Sequence, residues 1–85
     1  PTHYAIALKY ERGLAAPEVV AKGADALALK IRTIAREHGV PIVENPPLAR
    51  AIYRQVEVGE FIPGDLFEAV AEVLAYLIRL KQLVI

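Results

Sequence analysis

The sequence has no cysteine, which excludes disulfide bonds and thiol chemistry and favours a reducing compartment. It also has no excess charge of either sign, because ten acidic side chains balance ten basic ones. A nucleic-acid or anionic-membrane interface needs a basic excess. The charge balance therefore predicts no nucleic-acid partner and no attraction to a membrane surface.

Long apolar runs are missing as well. A helix that spans a bilayer needs ~20 consecutive apolar residues. The longest candidate, residues 70–85, is interrupted by Glu72, Arg79 and Lys81. We expect no part of this chain to insert directly into a membrane.

The sequence lacks the motifs of common active sites. It has no glycine-rich phosphate loop, no cluster of metal ligands and no serine or cysteine with a partner base. Glu68 and Glu72 lie one helical turn apart, but they share a polar face with Arg79, which is typical of solvated carboxylates. We predict no cofactor, no bound metal and no enzyme that turns over a second substrate.

Four isolated charged or polar side chains invite functional interpretations that we consider weak. Lys22 precedes a glycine and a helix start, yet one lysine without further donors is expected to be an ordinary surface residue. Glu57 and Glu60 are predicted loop carboxylates without partners. His38 precedes Gly39 and is expected to end a helix rather than to act in a site.

What the sequence does contain is enough apolar surface for one small domain, residues 1–85, with 55% hydrophobic residues. Apolar runs predict strands at residues 4–10, 19–21 and 40–43, with Pro41 at the start or edge of the third. Gly23 is predicted to cap the following helix.

Three helices follow from apolar spacing and capping signals. The first spans about 24–38, with Asp25 in its first turn. The second begins at Asn45 before two prolines. The third begins near Asp65, with Glu68 three residues later, and runs to about Leu80. Their predicted apolar faces are Leu27, Ile31, Ile34, Ala35 and His38; Leu48, Ala49, Ile52, Tyr53 and Val56; and Leu66, Val70, Val73, Leu74 and Leu77.

The chain begins Pro1-Thr2-His3-Tyr4 and continues into the first predicted strand. This start resembles the segment after the scissile bond in the FlhB/YscU family of type III secretion, which includes SpaS and HrcU and whose loop reads Asn-Pro-Thr-His. Three further blocks resemble the family in the same order, at residues 16–24, 44–53 and 69–76. The amino-acid sequence of these blocks is more similar to the flagellar branch than to the injectisome branch.

The resemblance implies the fold class: an α/β domain with a small mixed sheet, three strands from this chain and a fourth from the segment before Pro1, flanked by three to four helices. It also implies that family members carry a multi-helix membrane domain ahead of this one. The expected location is the cytoplasmic face of the bacterial inner membrane.

The resemblance further implies self-cleavage before Pro1. An asparagine in front of proline can attack its own carbonyl carbon through its side-chain amide nitrogen, closing a succinimide and releasing the proline nitrogen. Thr2 and His3 are expected to hold the turn and to assist proton movement. The upstream fragment is expected to stay paired with this chain.

The implied function is to receive export substrates and to switch their class after cleavage. Ala16, Pro17, Ala71 and Leu74 are expected to form a shallow apolar docking patch, although Leu74 is also central enough to be core. Expected partners are the N-terminal cleavage fragment, export substrates of rod, hook or filament type, and export-gate or length-control proteins. The alternatives are an injectisome switch protein and a stand-alone interaction module, which would tend to lack the Pro-Thr-His motif.

Overall fold

A computed structural model describes residues 3–75 and 82–85. Six elements follow in chain order: β1 (Tyr4–Lys9), β2 (Glu18–Ala24), α1 (Asp25–Glu37), α2 (Pro46–Gln55), α3 (Gly64–Ala75) and β3 (Gln82–Val84). The predicted class, an α/β domain with three strands from this chain and three to four helices, is confirmed, with three helices in the described residues.

The sheet has the strand order β2-β1-β3, and both ladders are antiparallel. β1 and β2 pair from Tyr4 opposite Ala24 to Lys9 opposite Glu18, with a register shift between Ala7 and Leu8. The pairing of the first two strands is therefore as predicted, but β2 continues three residues beyond Ala21. Gly23 lies inside this strand and does not cap α1, whose N-cap is Ala24.

The predicted third strand at residues 40–43 is wrong. Only Ile42 forms a bridge there, parallel to Val84. The true third strand, β3, comes from the C-terminal stretch, and the 41–43 segment lies along its outer edge through Val43 N–H to Val84 O and Val84 N–H to Pro41 O, at 2.8 and 2.9 Å. Pro41 is on the edge, as expected, since it has no N–H to give to a ladder.

β1 has a partner on each side. β2 covers one edge, while β3 pairs with Ala7–Lys9 on the other, and Ile6 and Ile85 exchange two hydrogen bonds of 2.9 Å. On the β3 side of β1, the ladder and these two bonds reach only from Ile6 to Lys9. The fourth strand remains a prediction.

Side chains of β1 alternate between two cores. Ile6 and Leu8 point to the α2 and α3 side, whereas Ala5 and Ala7 point to α1. The sheet is thus a layer between α1 and the other two helices. The main core comprises Ile6, Leu8, Val19, Leu48, Ala49, Ile52, Val56, Ile62, Leu66, Val70, Val73, Leu83 and Ile85.

The predicted apolar face of α1 is partly wrong. Ala28 and Ala35 are its buried residues, Ile31 is half-buried, and Leu27 and Ile34 are 51% and 46% exposed. Small side chains on both surfaces, alanines of β1 and of α1, allow the helix to pack closely against the sheet. The larger aliphatic residues are left on the flank of the helix.

The end of α1 and the start of α2 are confirmed. His38 is the C-cap of α1, with Nδ1 2.9 Å from the Ile34 carbonyl oxygen, and Gly39 follows with φ +68°. The Asn45 side chain accepts a hydrogen bond from Leu48 N–H at 3.3 Å, with Pro46 as the first helical residue. Four of the five predicted apolar residues of α2 and its C-cap are buried, and Tyr53 is half-buried.

α3 begins at Gly64, one residue before the predicted start, so Asp65 lies within the first turn. Leu66, Val70 and Val73 are buried as predicted. The predicted continuation to Leu80 lies outside the described residues, as does Leu77. In residues 3–75 and 82–85, no helix is long and apolar enough to cross a bilayer.

Candidate functional site

The first described residue, His3, is fixed to the start of α1. Its N–H donates to Asp25 Oδ1 at 3.3 Å, and the Asp25 N–H donates to the His3 carbonyl oxygen at 2.8 Å. These two bonds close a ring between the entry to β1 and the junction of β2 with α1. Pro1 and Thr2, the other predicted cleavage residues, lie outside the described residues.

Asp25 adopts a left-handed backbone conformation with φ +50°. Such a conformation is uncommon outside glycine, and aspartate and asparagine tolerate it best. In the sequence, Asp25 is recognisable only as an acidic residue in the first turn of a helix. Its contact with His3 spans 22 positions of the chain, so no local pattern could have revealed it.

The His3 side chain is exposed. Within residues 3–75 and 82–85, its ring has no hydrogen-bond partner. The histidine is therefore held through its backbone.

Below His3, two tyrosines and a lysine form a cluster. The ring centroids of Tyr4 and Tyr53 are 4.6 Å apart with an interplanar angle of 41°. Lys22 Nζ lies 5.0 Å from the Tyr53 centroid, donates to the Tyr53 carbonyl oxygen at 3.0 Å, and pairs with Glu57 at 3.3 Å. This cluster joins β1, β2 and the end of α2.

Two predictions about charged residues are corrected by this cluster. Lys22 is not an ordinary surface lysine, since its side chain is only 15% exposed. Glu57 and Glu60 were expected to have no partners, but Glu57 pairs with Lys22 and the Glu57 N–H donates to Glu60 Oε1 at 2.7 Å. The Lys22–Glu57 pair depends on the loop after α2 returning to β2, whereas the Glu57–Glu60 bond is local to that loop.

A cleft of about 530 Å³ opens beside His3 and Tyr4. Its walls come from α1, from the start and outer face of α2, and from the end of β3. The lining residues are His3, Tyr4, Arg32, Glu44, Asn45, Pro46, Pro47, Ala49, Arg50, Arg54 and Ile85. Three arginines and one glutamate thus line a cleft beside His3.

The predicted docking patch is divided by the fold. Ala16 is 8% exposed and Pro17 is fully buried, because the Pro17 carbonyl oxygen accepts from Ile62 N–H at 2.9 Å and the 59–62 segment covers this side of β2. These two residues are not on an accessible surface. Ala71 is exposed, and Leu74 is half-buried against the core.

One exposed residue extends the α3 part of this patch. Phe67 is 43% exposed and stands one turn before Ala71 and two turns before Leu74. Residues at this spacing share a helix face. The i, i+4, i+7 pattern is visible in the sequence, but Phe67 was not among the residues predicted to form the docking patch.

Comparisons with known proteins agree on one family. Residues 1–77 match the model of the FlhB HrpN YscU SpaS family. The chain is 60% identical over 83 residues to the flagellar biosynthetic protein FlhB of Bacillus subtilis and 59% identical to that of Salmonella typhimurium. These matches cover 96% of this chain but only 23% and 22% of the relatives, so the chain spans less than a quarter of their length.

Solved structures show the same fold. The crystal structure of the cytoplasmic domain of FlhB from Shewanella putrefaciens superposes with a TM-score of 0.85 at 54% identity, covering 92% of this chain and 66% of that one. The PscU C-terminal domain gives a TM-score of 0.86 at 50% identity, with 91% and 99% covered. The chain belongs to the FlhB/HrpN/YscU/SpaS family.

Proposed function

We propose that this chain is the cytoplasmic export-switch segment of a flagellar protein export apparatus. The observation that carries the proposal is 59–60% identity to flagellar biosynthetic proteins across 96% of the chain. The parent protein would lie at the cytoplasmic face of the inner membrane, with this segment outside the bilayer. Its partners would be its own upstream fragment, export substrates, and export-gate or length-control proteins.

Self-cleavage before Pro1 is the first part of the proposal. The side-chain nitrogen of an asparagine preceding Pro1 attacks its own carbonyl carbon, the bond to the Pro1 nitrogen breaks, and that nitrogen takes up a proton. Water then opens the succinimide. Holding the reacting groups close is what makes such intramolecular steps fast.

The His3–Asp25 pair supports this chemistry by fixing one side of the scissile turn. His3 follows the leaving nitrogen by two residues, and its backbone bonds to Asp25 at 3.3 and 2.8 Å limit how far the turn can relax. In this proposal the exposed His3 imidazole assists proton movement, and Thr2 holds the turn. Asp25 acts only as a positioning residue.

Substrate reception is the second part. We assign it to the α3 face of Phe67, Ala71 and the half-buried Leu74, which presents apolar surface beside the core. Short apolar motifs of export substrates would bind there. Ala16 and Pro17 would contribute only by supporting the loop that leads into α3, because both are buried.

Grafting tests the function directly. This chain replaces the corresponding segment of FlhB in a Bacillus subtilis strain that lacks the native gene, and swimming and secretion of hook-type and filament-type proteins are measured. We expect both to be restored. The matched control is the same graft with the asparagine before Pro1 changed to alanine, which should lose the change from hook-type to filament-type secretion. A stable graft that secretes nothing would contradict the proposal.

A further inference from the structure

Arg32, Arg50 and Arg54 line the cleft beside His3, and we call this feature the arginine cleft. Arg50 and Arg54 stand one turn apart on α2, so they share a helix face, while Arg32 comes from α1 on the other side of the opening. The chain as a whole has no net charge. Three of its six arginines are nevertheless gathered at one concave surface.

Glu44 also lines the cleft, so within the described residues one carboxylate offsets only part of the charge of three guanidinium groups. The ion pairs there join Lys9 to Glu11 and Lys22 to Glu57, and none includes an arginine of the cleft. Arg32 Nε is buried without a hydrogen-bond partner, and its Nη2 donates to the Tyr4 carbonyl oxygen at a long 3.4 Å. Like charges one turn apart on a helix destabilise it. An anion in the cleft would relieve this repulsion.

The positive charge comes from guanidinium groups and not from the N-terminus of α2. Pro46 and Pro47 have no N–H, and the Leu48 and Ala49 N–H groups already bond to Asn45. The fork of an arginine matches a carboxylate or a phosphate with two parallel hydrogen bonds. The ligand class is therefore an oxyanion recognised by side chains.

The remaining walls distinguish a peptide from a lipid. Pro46, Pro47, Ala49 and Ile85 add apolar surface to the cleft, whose volume of about 530 Å³ exceeds that of a single carboxylate or phosphate. Membrane-binding surfaces pair basic residues with apolar side chains that insert into the bilayer. Among the described residues, none of the large exposed hydrophobic side chains lines this cleft.

We propose that the arginine cleft binds an acidic peptide segment of a protein partner, with aspartate or glutamate carboxylates paired to Arg32, Arg50 and Arg54. The bound segment contacts His3 and Tyr4, which follow the predicted cleavage site in the sequence. The proposal does not depend on cleavage or on export. A failed graft would leave it intact, and its own failure would leave the graft result intact.

The test uses the 85-residue chain and a short synthetic peptide in which glutamates alternate with leucines. A peptide with glutamine at each glutamate is the matched ligand control. Binding is measured by titration calorimetry, and NMR shifts of the His3 ring report where the peptide lies. The Arg50→Gln, Arg54→Gln double variant is compared with Arg12→Gln, Lys30→Gln, which removes the same charge away from the cleft.

We expect the acidic peptide to bind and to shift the His3 ring, and the glutamine peptide to bind at least about tenfold more weakly. The cleft double variant should lose about tenfold in affinity, while the control variant keeps it. Equal loss in both variants, or equal binding of both peptides, would overturn the proposal. Binding confined to vesicles of phosphatidylglycerol, with no affinity for the peptide, would overturn it in favour of a lipid headgroup.

Discussion

Asp25 bonds the backbone of His3 with both its side chain and its own N–H, at 3.3 and 2.8 Å. The aspartate adopts φ +50° to do so. A residue at the start of a helix thereby fixes the entry to the central strand, next to the predicted scissile bond. The first prediction follows from this geometry.

The loss of stability caused by substitutions at Asp25 should depend on which interaction each substitution removes. Asp25→Asn keeps an oxygen acceptor and tolerates the left-handed backbone, so its free energy of unfolding should change by less than about 0.5 kcal/mol. Asp25→Ala loses the acceptor and strains the backbone, at a cost of about 1–2 kcal/mol. Asp25→Gly should fall between them, because glycine also loses the acceptor but adopts the left-handed backbone without strain. Urea unfolding measures the series.

The same series tests positioning. Cleavage of a longer chain that includes the preceding asparagine should slow in Asp25→Ala and stay near the native rate in Asp25→Asn. Asp65→Ala, which removes a similar first-turn carboxylate from α3, is the control. If Asp25→Ala cleaves as fast as the native chain, Asp25 does not position the turn.

Loss of the Lys22 amino group should destabilise the fold more than loss of its ion pair with Glu57. Lys22→Met keeps the stem but loses the hydrogen bond to the Tyr53 carbonyl oxygen and the contact with its ring, at a cost of about 1–2 kcal/mol. Glu57→Gln should cost no more than about 0.5 kcal/mol, because Glu57 is 73% exposed and such pairs are weak. Lys30→Met, on the exposed face of α1, controls for the lost charge. Equal destabilisation by Lys22→Met and Glu57→Gln would show that the ion pair dominates.

Substitutions on the α3 face distinguish a docking role from a packing role. Phe67→Asp and Ala71→Asp should leave the fold intact and weaken substrate capture and secretion, because both side chains are exposed. Ala16→Asp should instead unfold the chain, since it would bury a charge. Circular dichroism and pull-down of export substrates distinguish these outcomes. Normal capture by folded Phe67→Asp and Ala71→Asp variants would remove α3 as the docking face.

Leu74 lies between the two alternatives left open for it, a packed core position and a surface position. A packed core leucine changed to alanine costs about 2–5 kcal/mol, and a surface one about 0.5 kcal/mol. Because Leu74 is half-buried against the core, we expect Leu74→Ala to cost about 1–2 kcal/mol. A value in the full core range would mean that the side chain is not available to substrates.

Local signals predicted local structure well. Asn45 with two following prolines defined the start of α2, and Gly39 defined the end of α1, because capping depends on residues a few positions away. The core residues of α2 and α3 followed from helical spacing. The family resemblance supplied the predicted cleavage residues, which spacing alone would not have suggested.

Long-range pairing explains what the sequence did not reveal. The choice of β3 over residues 40–43 depends on which segment reaches the edge of β1, and both are short and apolar. Leu27 and Ile34 were wrongly predicted to be buried, because the alanines of β1 pack against the alanines of α1 and leave the larger side chains exposed. Lys22, Asp25 and Ala16 acquired their surroundings from segments distant in the chain, so no window around them carried the signal.

The most direct measurement is N-terminal sequencing of the fragments from the full-length protein. We expect two fragments on a denaturing gel, the second starting Pro1-Thr2-His3, and a single band when the preceding asparagine is changed to alanine. An intact native protein, a fragment that starts elsewhere, or cleavage that persists in the alanine variant would contradict it.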